Sequence, residues 1–271
     1  MRFLALNRSP IWILTLALLG VIAWQSREAT LYLRNPYVVT GWSLFGTMTF
    51  LSAFNWRKRL SMLPLGRARD WLSLHVAGGL LAVGAFWLHV GSAWPIGVYE
   101  RVLASLFYLV SITGILGYAL LRVYPTYLTR SGVEIVYERI PKEIAYLREQ
   151  AQSVVLACTE ATGSDTLGRQ YLENVDWFFR RPRFVWNHAF AGNKGRSWVR
   201  QQRMTVARYM NDNERVYLDK LFRLATYKND VDFHYTAQSI MKGWLLIHLP
   251  LAAAAMILGI WHVVLVHIYA L

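Results

Sequence analysis

The chain has 271 residues, of which 55% are hydrophobic and only 17% charged; with several apolar runs near the length of about 20 residues needed to cross a bilayer, this composition excludes an ordinary soluble domain. The net charge of +13, from 29 basic and 16 acidic residues, is read as Lys and Arg held at a cytoplasmic membrane surface rather than as a nucleic-acid footprint, because no nucleic-acid motif accompanies it. A single cysteine, Cys158, excludes an internal disulfide, an iron–sulfur cluster built by this chain alone and haem attached through Cys-x-x-Cys-His; it reads as a small buried apolar residue.

The first apolar run, Pro10 to Trp24, follows Arg2 and Arg8 and is read as a somewhat short first span, not a cleaved signal. The second span is expected at about Tyr37 to Trp56. A basic loop follows, with Arg57, Lys58, Arg59, Arg67 and Arg69 against Asp70 alone. The third span is about Trp71 to Val90. A turn, Gly91 to Pro95, leads to the fourth, about Ile96 to Leu121. The stretch Arg122 to Lys242 carries 19 basic and 13 acidic residues and is no membrane segment. Gly243 to Leu271 is the fifth span. The expected fold class is thus all-α: an integral membrane bundle of five transmembrane helices with a mostly helical cytoplasmic insertion before the last. Its domains are 1–121, 122–242 and 243–271.

With five spans, the three basic regions fall on one side of the membrane. The positive-inside rule then makes the N-terminus and 122–242 cytoplasmic and the C-terminus periplasmic, in a bacterial inner membrane. Within the insertion, Ile140 to Cys158 has helical spacing with Pro141 near its start. Asn211 to Tyr227 is a second helix, capped by Asn213. Asp230 to Lys242 runs on into the fifth span, where Pro250 is expected to kink the helix.

Four of the seven histidines form two matched pairs, His75 with His89 and His248 with His262, each fourteen residues apart. Fourteen residues turn an α-helix through about 1400°, only about 40° short of four full turns, and advance it about 21 Å. Both members of a pair therefore share one face. The third and fifth spans run in the same direction, and His75 and His248 each lie four residues after a tryptophan, Trp71 and Trp244. His75 should then face His248 near the cytoplasm, and His89 should face His262 near the outside. Two imidazoles opposed at one depth can ligate one iron from both sides, and two such levels would hold two b-type haems. Isolated metal ions want more ligands at each level. Gly78, Gly79 and Ala82 on the third helix, and Ala252, Ala255 and Gly259 on the fifth, share the histidine faces and are small enough to admit a cofactor.

Paired histidines fourteen apart on two parallel helices resemble the dihaem core of cytochromes b. Their place on the third and fifth spans is similar to the transmembrane core of ferric-reductase and NADPH-oxidase-like proteins. The resemblance covers the spans, roughly half the chain. It implies His75, His89, His248 and His262 as axial ligands, and haem-based electron transfer. Those reductases carry flavin and nicotinamide domains after the last span, whereas this sequence ends at Leu271, and the 122–242 insertion has no counterpart in them. Reductase activity is therefore not implied.

His267 is the alternative outer ligand, rotated about 100° from the His248 face. His234 precedes the fifth span, and His188, between Trp186 and Phe190, reads as a folded-domain residue. Gly163 to Gly168 starts like a phosphate-binding loop, but Arg169-Gln170 stands where Lys and Ser or Thr are required. Arg180, Arg181, Arg183, Lys194, Arg196, Arg200, Arg203 and Arg208, interleaved with Phe178, Phe179, Phe184, Trp186 and Trp198, suggest an anionic-lipid surface.

The function expected is a dihaem subunit moving electrons across the membrane. One partner would be a quinone or cytoplasmic redox protein, and the other a periplasmic one such as a multihaem cytochrome c, within a larger complex. The first alternative is a self-contained quinol-linked or metal-reducing oxidoreductase, with Glu100 and Arg101 as outer-face candidates. The second is a helical scaffold or transporter without haem.

Overall fold

The computed structural model describes residues 9–55, 67–130 and 132–269. Every regular element among them is helical. Trp56, Arg57, Lys58 and Arg59, and the N-terminal Arg2 and Arg8, lie outside the described residues. The chain divides into two compact units, one of residues up to Ala119 and from Trp244 onward, the other Leu120–Gly243.

The first unit contains α1 (Ser9–Leu31), α2 (Pro36–Ser52), α3 (Ala68–Val90), most of α4 (Val98–Arg130) and the C-terminal part of α10 (Asp212–Tyr269). Four of these helices are long and apolar enough to cross a membrane. α1 runs seven residues beyond the expected Trp24, because Gln25 to Leu31 offers neither Gly nor Pro to stop it. α2 has 17 residues and stops short of the expected Trp56, tightening into a 3₁₀ turn at Ala53–Asn55. It starts sharply: Asn35 accepts a hydrogen bond from the Tyr37 N–H at 3.0 Å, and Pro36 follows, where a missing donor is harmless. α3 ends at Gly91, whose φ of +66° is the left-handed conformation that a side chain would oppose.

This unit shows its apolar residues outward. Ile13, Leu16, Leu246 and Ile257 are each 58% exposed or more, a pattern that in water would be an aggregation surface and in lipid is the expected one. Its hydroxyl residues satisfy themselves. Ser43, Thr47, Thr49 and Ser52 on α2 each donate to the carbonyl four residues back.

The second unit holds α5 (Ile140–Thr162), α6 (Thr166–Gln170), a π turn at Tyr171–Val175, α7 (Asp176–Phe179), α8 (Val185–Ala189), α9 (Lys194–Ala207) and the first half of α10. Ile140, Ile144, Leu147, Ala151, Val155 and Cys158 recur every three or four residues on α5, and all are buried. They pack with Tyr171, Phe178 and Phe179 and with Leu218, Leu221 and Phe222 of α10.

The three expected pieces 211–227, 230–242 and 243–271 are one continuous helix of 58 residues, with Pro250 inside it. Asn213 is not its cap but a residue of its first turn. The reciprocal capping bond comes from Glu214, whose Oε2 accepts from the Asn211 N–H at 2.8 Å. Gly163, in the rejected phosphate-loop stretch, ends α5 with φ +70°.

Candidate functional site

In the first unit one histidine pair meets ring to ring, and the other comes within electrostatic range. The His89 and His262 ring centres are 6.3 Å apart, with planes at 85°. His75 and His248 lie close enough to interact electrostatically. Since 75 meets 248 and 89 meets 262, α3 and the C-terminal part of α10 run in the same direction.

The outer spacing has a chemical meaning. Two metal–imidazole bonds of about 2.0 Å, with about 1.2 Å from each nitrogen to its ring centre, put the rings of a doubly ligated ion about 6.4 Å apart. Near-perpendicular planes are compatible with this, because each ring can turn about its own metal–nitrogen bond. A cavity of about 420 Å³ opens here, lined by His89, His262, Ala255, Gly259, Glu100 and His267 among others. That volume is in the range of cofactor sites. The residues present therefore fit a bis-imidazole haem at this level.

Each histidine is held differently. His89 Nδ1 lies 3.2 Å from Thr40 Oγ1, and its ring lies against Gly41, where an added Cβ would be 2.9 Å from Cε1. His248 Nδ1 lies 2.9 Å from Thr113 Oγ1, and a Cβ on Gly114 would be 3.7 Å from its Cε1. Trp244 stacks on His248 at 5.3 Å and donates from its indole to the Thr113 carbonyl at 2.7 Å. Gly117 makes room for that indole, since a Cβ there would be 1.9 Å from Trp244 Cζ2. His262 stacks on Tyr99 at 6.0 Å, and the Tyr99 hydroxyl donates to the Leu258 carbonyl at 2.6 Å. His75 packs against Phe54 at 4.7 Å, and its buried Nδ1 has no hydrogen-bond partner among the described residues.

The small residues divide. Ala255 and Gly259 line the outer cavity, as a cofactor site would require. Gly78 does not: a Cβ there would meet Leu51 at 3.0 Å, so it serves the packing of α3 on α2. Ala82 is buried in an apolar cluster with Phe86, Ala104 and Phe107. Gly79 has open space around it, and Ala252 is half-buried. Neither lines the outer cavity. Thr40, Gly41, Thr113, Gly114 and Gly117 escaped the reading of single helices. The signal that could have found the first four is the Thr-Gly dipeptide repeated on α2 and α4, two of the helices that carry no histidine.

His267 also lines the cavity and meets Trp42 edge-on at 5.6 Å. Its Nδ1 donates to the Val263 carbonyl at 2.9 Å. Arg101 is bound to the Ile96 carbonyl through both Nε and Nη2.

Half of the cations in the basic stretch are bonded within the second unit. Arg180 and Arg148 grip the buried Asp176, and they hold its carboxyl below the usual range although burial works the other way. Arg183 donates to the Trp177 carbonyl. Arg196 pairs with Asp230, and Arg203 with Asp219. Phe178 and Phe179 are fully buried, whereas Trp186 is 83% exposed. The interleaved aromatics are thus mainly core and the cations mainly its outer clamps, because alternation in sequence becomes inside and outside on a folded surface. His188 is 3% exposed; burial first, then the charge of Lys228, pushes its pKa down to about 4, so it is neutral. His234 is also buried, in this unit rather than beside the paired histidines.

Comparison with protein families, with curated proteins and with solved structures finds no match to this chain.

Proposed function

We propose that the protein is a dihaem b-type cytochrome subunit of a membrane redox complex, moving electrons between the two membrane faces. The observation that carries this reading is the 6.3 Å separation of the His89 and His262 rings, one helical interval from a second facing pair. In this reading His75 and His248 hold the inner haem, and His89 and His262 the outer. Bound haem supplies a one-electron carrier at each level. The chain's own residues fix the imidazoles, set the spacing of about 21 Å along the helices and keep the surroundings apolar, which tunes the potential.

Five spans are proposed, with α2 as the second. Its 17 residues lie at the short end of the spanning range of about 17–25. The N-terminus and the second unit are then cytoplasmic and the C-terminus periplasmic, in a bacterial inner membrane. Partners in this reading are a membrane quinone or cytoplasmic redox protein on one side and a periplasmic protein, such as a multihaem cytochrome c, on the other. Arg181, Lys194, Arg200 and Arg208 remain for anionic lipid.

A second reading, a self-contained quinol-linked or metal-reducing enzyme, is favoured by one observation: Glu100 lines the outer cavity with His262. The deciding experiment is a reduced-minus-oxidised optical spectrum of the purified protein. A b-type band supports both haem readings, and its absence leaves a helical scaffold or transporter. Reduction of the isolated chain by quinol alone then favours the self-contained enzyme.

A further inference from the structure

One imidazole at each level is held by the same two-residue device. Thr40-Gly41 on α2 holds His89 of α3, and Thr113-Gly114 on α4 holds His248 of α10. In both cases the threonine hydroxyl meets Nδ1; at Gly41 the missing Cβ also lets the ring approach closely, whereas at Gly114 a Cβ would make only an ordinary 3.7 Å contact.

The hydroxyl's direction follows from counting protons. A threonine has one O–H to donate and two lone pairs. Thr113 lies 2.8 Å from the Leu109 carbonyl and 3.0 Å from that of Val110. Carbonyls can only accept, and a hydroxyl whose proton goes to one of them turns a lone pair toward His248, which then carries the hydrogen on Nδ1. Thr40 is in the same position, 3.2 Å from the Pro36 carbonyl and 3.4 Å from that of Tyr37, and it is fully buried. With Nδ1 protonated, each ring presents Nε2 with its lone pair free, the form a metal takes. Among the described residues, His262 and His75 have ring contacts but no hydroxyl bonded to Nδ1.

We propose that the two Thr-Gly dipeptides are seats that fix the tautomer and orientation of one axial ligand per haem, so that His89 and His248 are the anchored ligands and His262 and His75 the exchangeable ones. The proposal rests on the haem reading above. Thr40 and Thr113 are positioning residues: they touch the ligand and not the iron. An acceptor on Nδ1–H raises the basicity of the ring and favours ferric iron. Removing it raises the potential of that haem and loosens it.

The test uses the full-length protein with Thr40→Val, Thr113→Val and the two Thr→Ser variants. Each is followed by redox titration, low-spin EPR and haem loss to an excess of apo-myoglobin. Wild-type protein with no b-type band overturns the haem reading itself, and the seats with it, before any variant is made. If haem is present, T113V should raise the potential of one haem and T40V that of the other. Each should release the affected haem about ten times faster, within the 10–100-fold range for outer-shell partners. The serine variants should behave as wild type. Valine variants with unchanged potentials and EPR signals overturn the seats while leaving the haems in place. So does a valine variant that disturbs both haems equally, or one that serine fails to rescue.

Discussion

His89 and His262 face each other with ring centres 6.3 Å apart, although 173 residues of chain separate them. The outer cavity that surrounds them also holds His267, so three imidazoles compete for one level. If the protein binds two haems as proposed, replacing His89 or His262 with Ala should lower the content to one per chain, measured as the pyridine haemochrome against protein. Replacing His267 with Ala should leave two. Loss of a haem in the His267 variant, with retention in the His262 variant, would reverse the assignment of the outer ligand.

The glycines beside the histidines are not equivalent. A methyl at Gly41 would stand 2.9 Å from His89 Cε1, whereas one at Gly114 would rest 3.7 Å from His248 Cε1, an ordinary contact. Gly41→Ala should therefore weaken only the outer haem, by about 10–100-fold in affinity, and Gly114→Ala should leave both. Gly117→Ala is more severe than Gly114→Ala, since its methyl would overlap the Trp244 indole. Overpacking of this kind costs about 1–3 kcal/mol and should disturb the inner haem through the stacking of Trp244 on His248. Haem titration and thermal unfolding of the three variants would check the order.

His188 gives the second unit an acid sensitivity. Burial holds its pKa in the folded chain at about 4, below its ordinary value of 6.5. The unfolded chain therefore takes up a proton that the folded chain refuses. The stability contributed by the neutral ring is full above pH 6.5 and is lost as the pH falls through about 4, by an amount on the order of 3 kcal/mol. Lys228 and Arg196 act in the same direction as burial, and Asp230 opposes them. The slope of melting temperature against pH between these limits should flatten in His188→Gln. An unchanged slope would place the acid sensitivity elsewhere.

Lys228 and Asp232 form a fully buried ion pair one turn apart on α10, at 2.6 Å. Burial pulls the lysine down to about 8 and pushes the aspartate up to about 7. Lys228 also donates to the Arg181 carbonyl at 2.8 Å and covers the Phe178 ring at 4.3 Å. Lys228→Met alone leaves a buried carboxyl without its partner and should cost about 3–5 kcal/mol, while the double change Lys228→Met with Asp232→Leu should cost less than the single one. Thermal unfolding of the single and double variants measures the difference. Equal losses would mean that the pair contributes through packing and not through charge.

Much of this protein was legible in the order of its residues. Helix type followed from unbroken apolar runs and from the turn beginning at Gly91, which act within a few residues. The fourteen-residue spacing placed His75 with His89, and His248 with His262, on common faces by helix geometry alone. What a single helix cannot reveal is which neighbour covers that face. Gly78 shares the face of His75, yet it seats Leu51 of α2, because packing depends on the approach of another helix. Thr40, Gly41, Thr113 and Gly114 act on histidines 49 and 135 residues away, so the repeated Thr-Gly dipeptide, though visible in the sequence, does not say which ring it meets. The same holds for Arg180, Arg183, Arg196 and Arg203, whose partners only the fold supplies. The sequence by itself determined the helices and the histidine spacing, since both follow from local geometry. The parity of the spans also predicted which rings oppose each other; only the tertiary structure decided how closely they approach and what holds them, because those contacts form when distant segments pack.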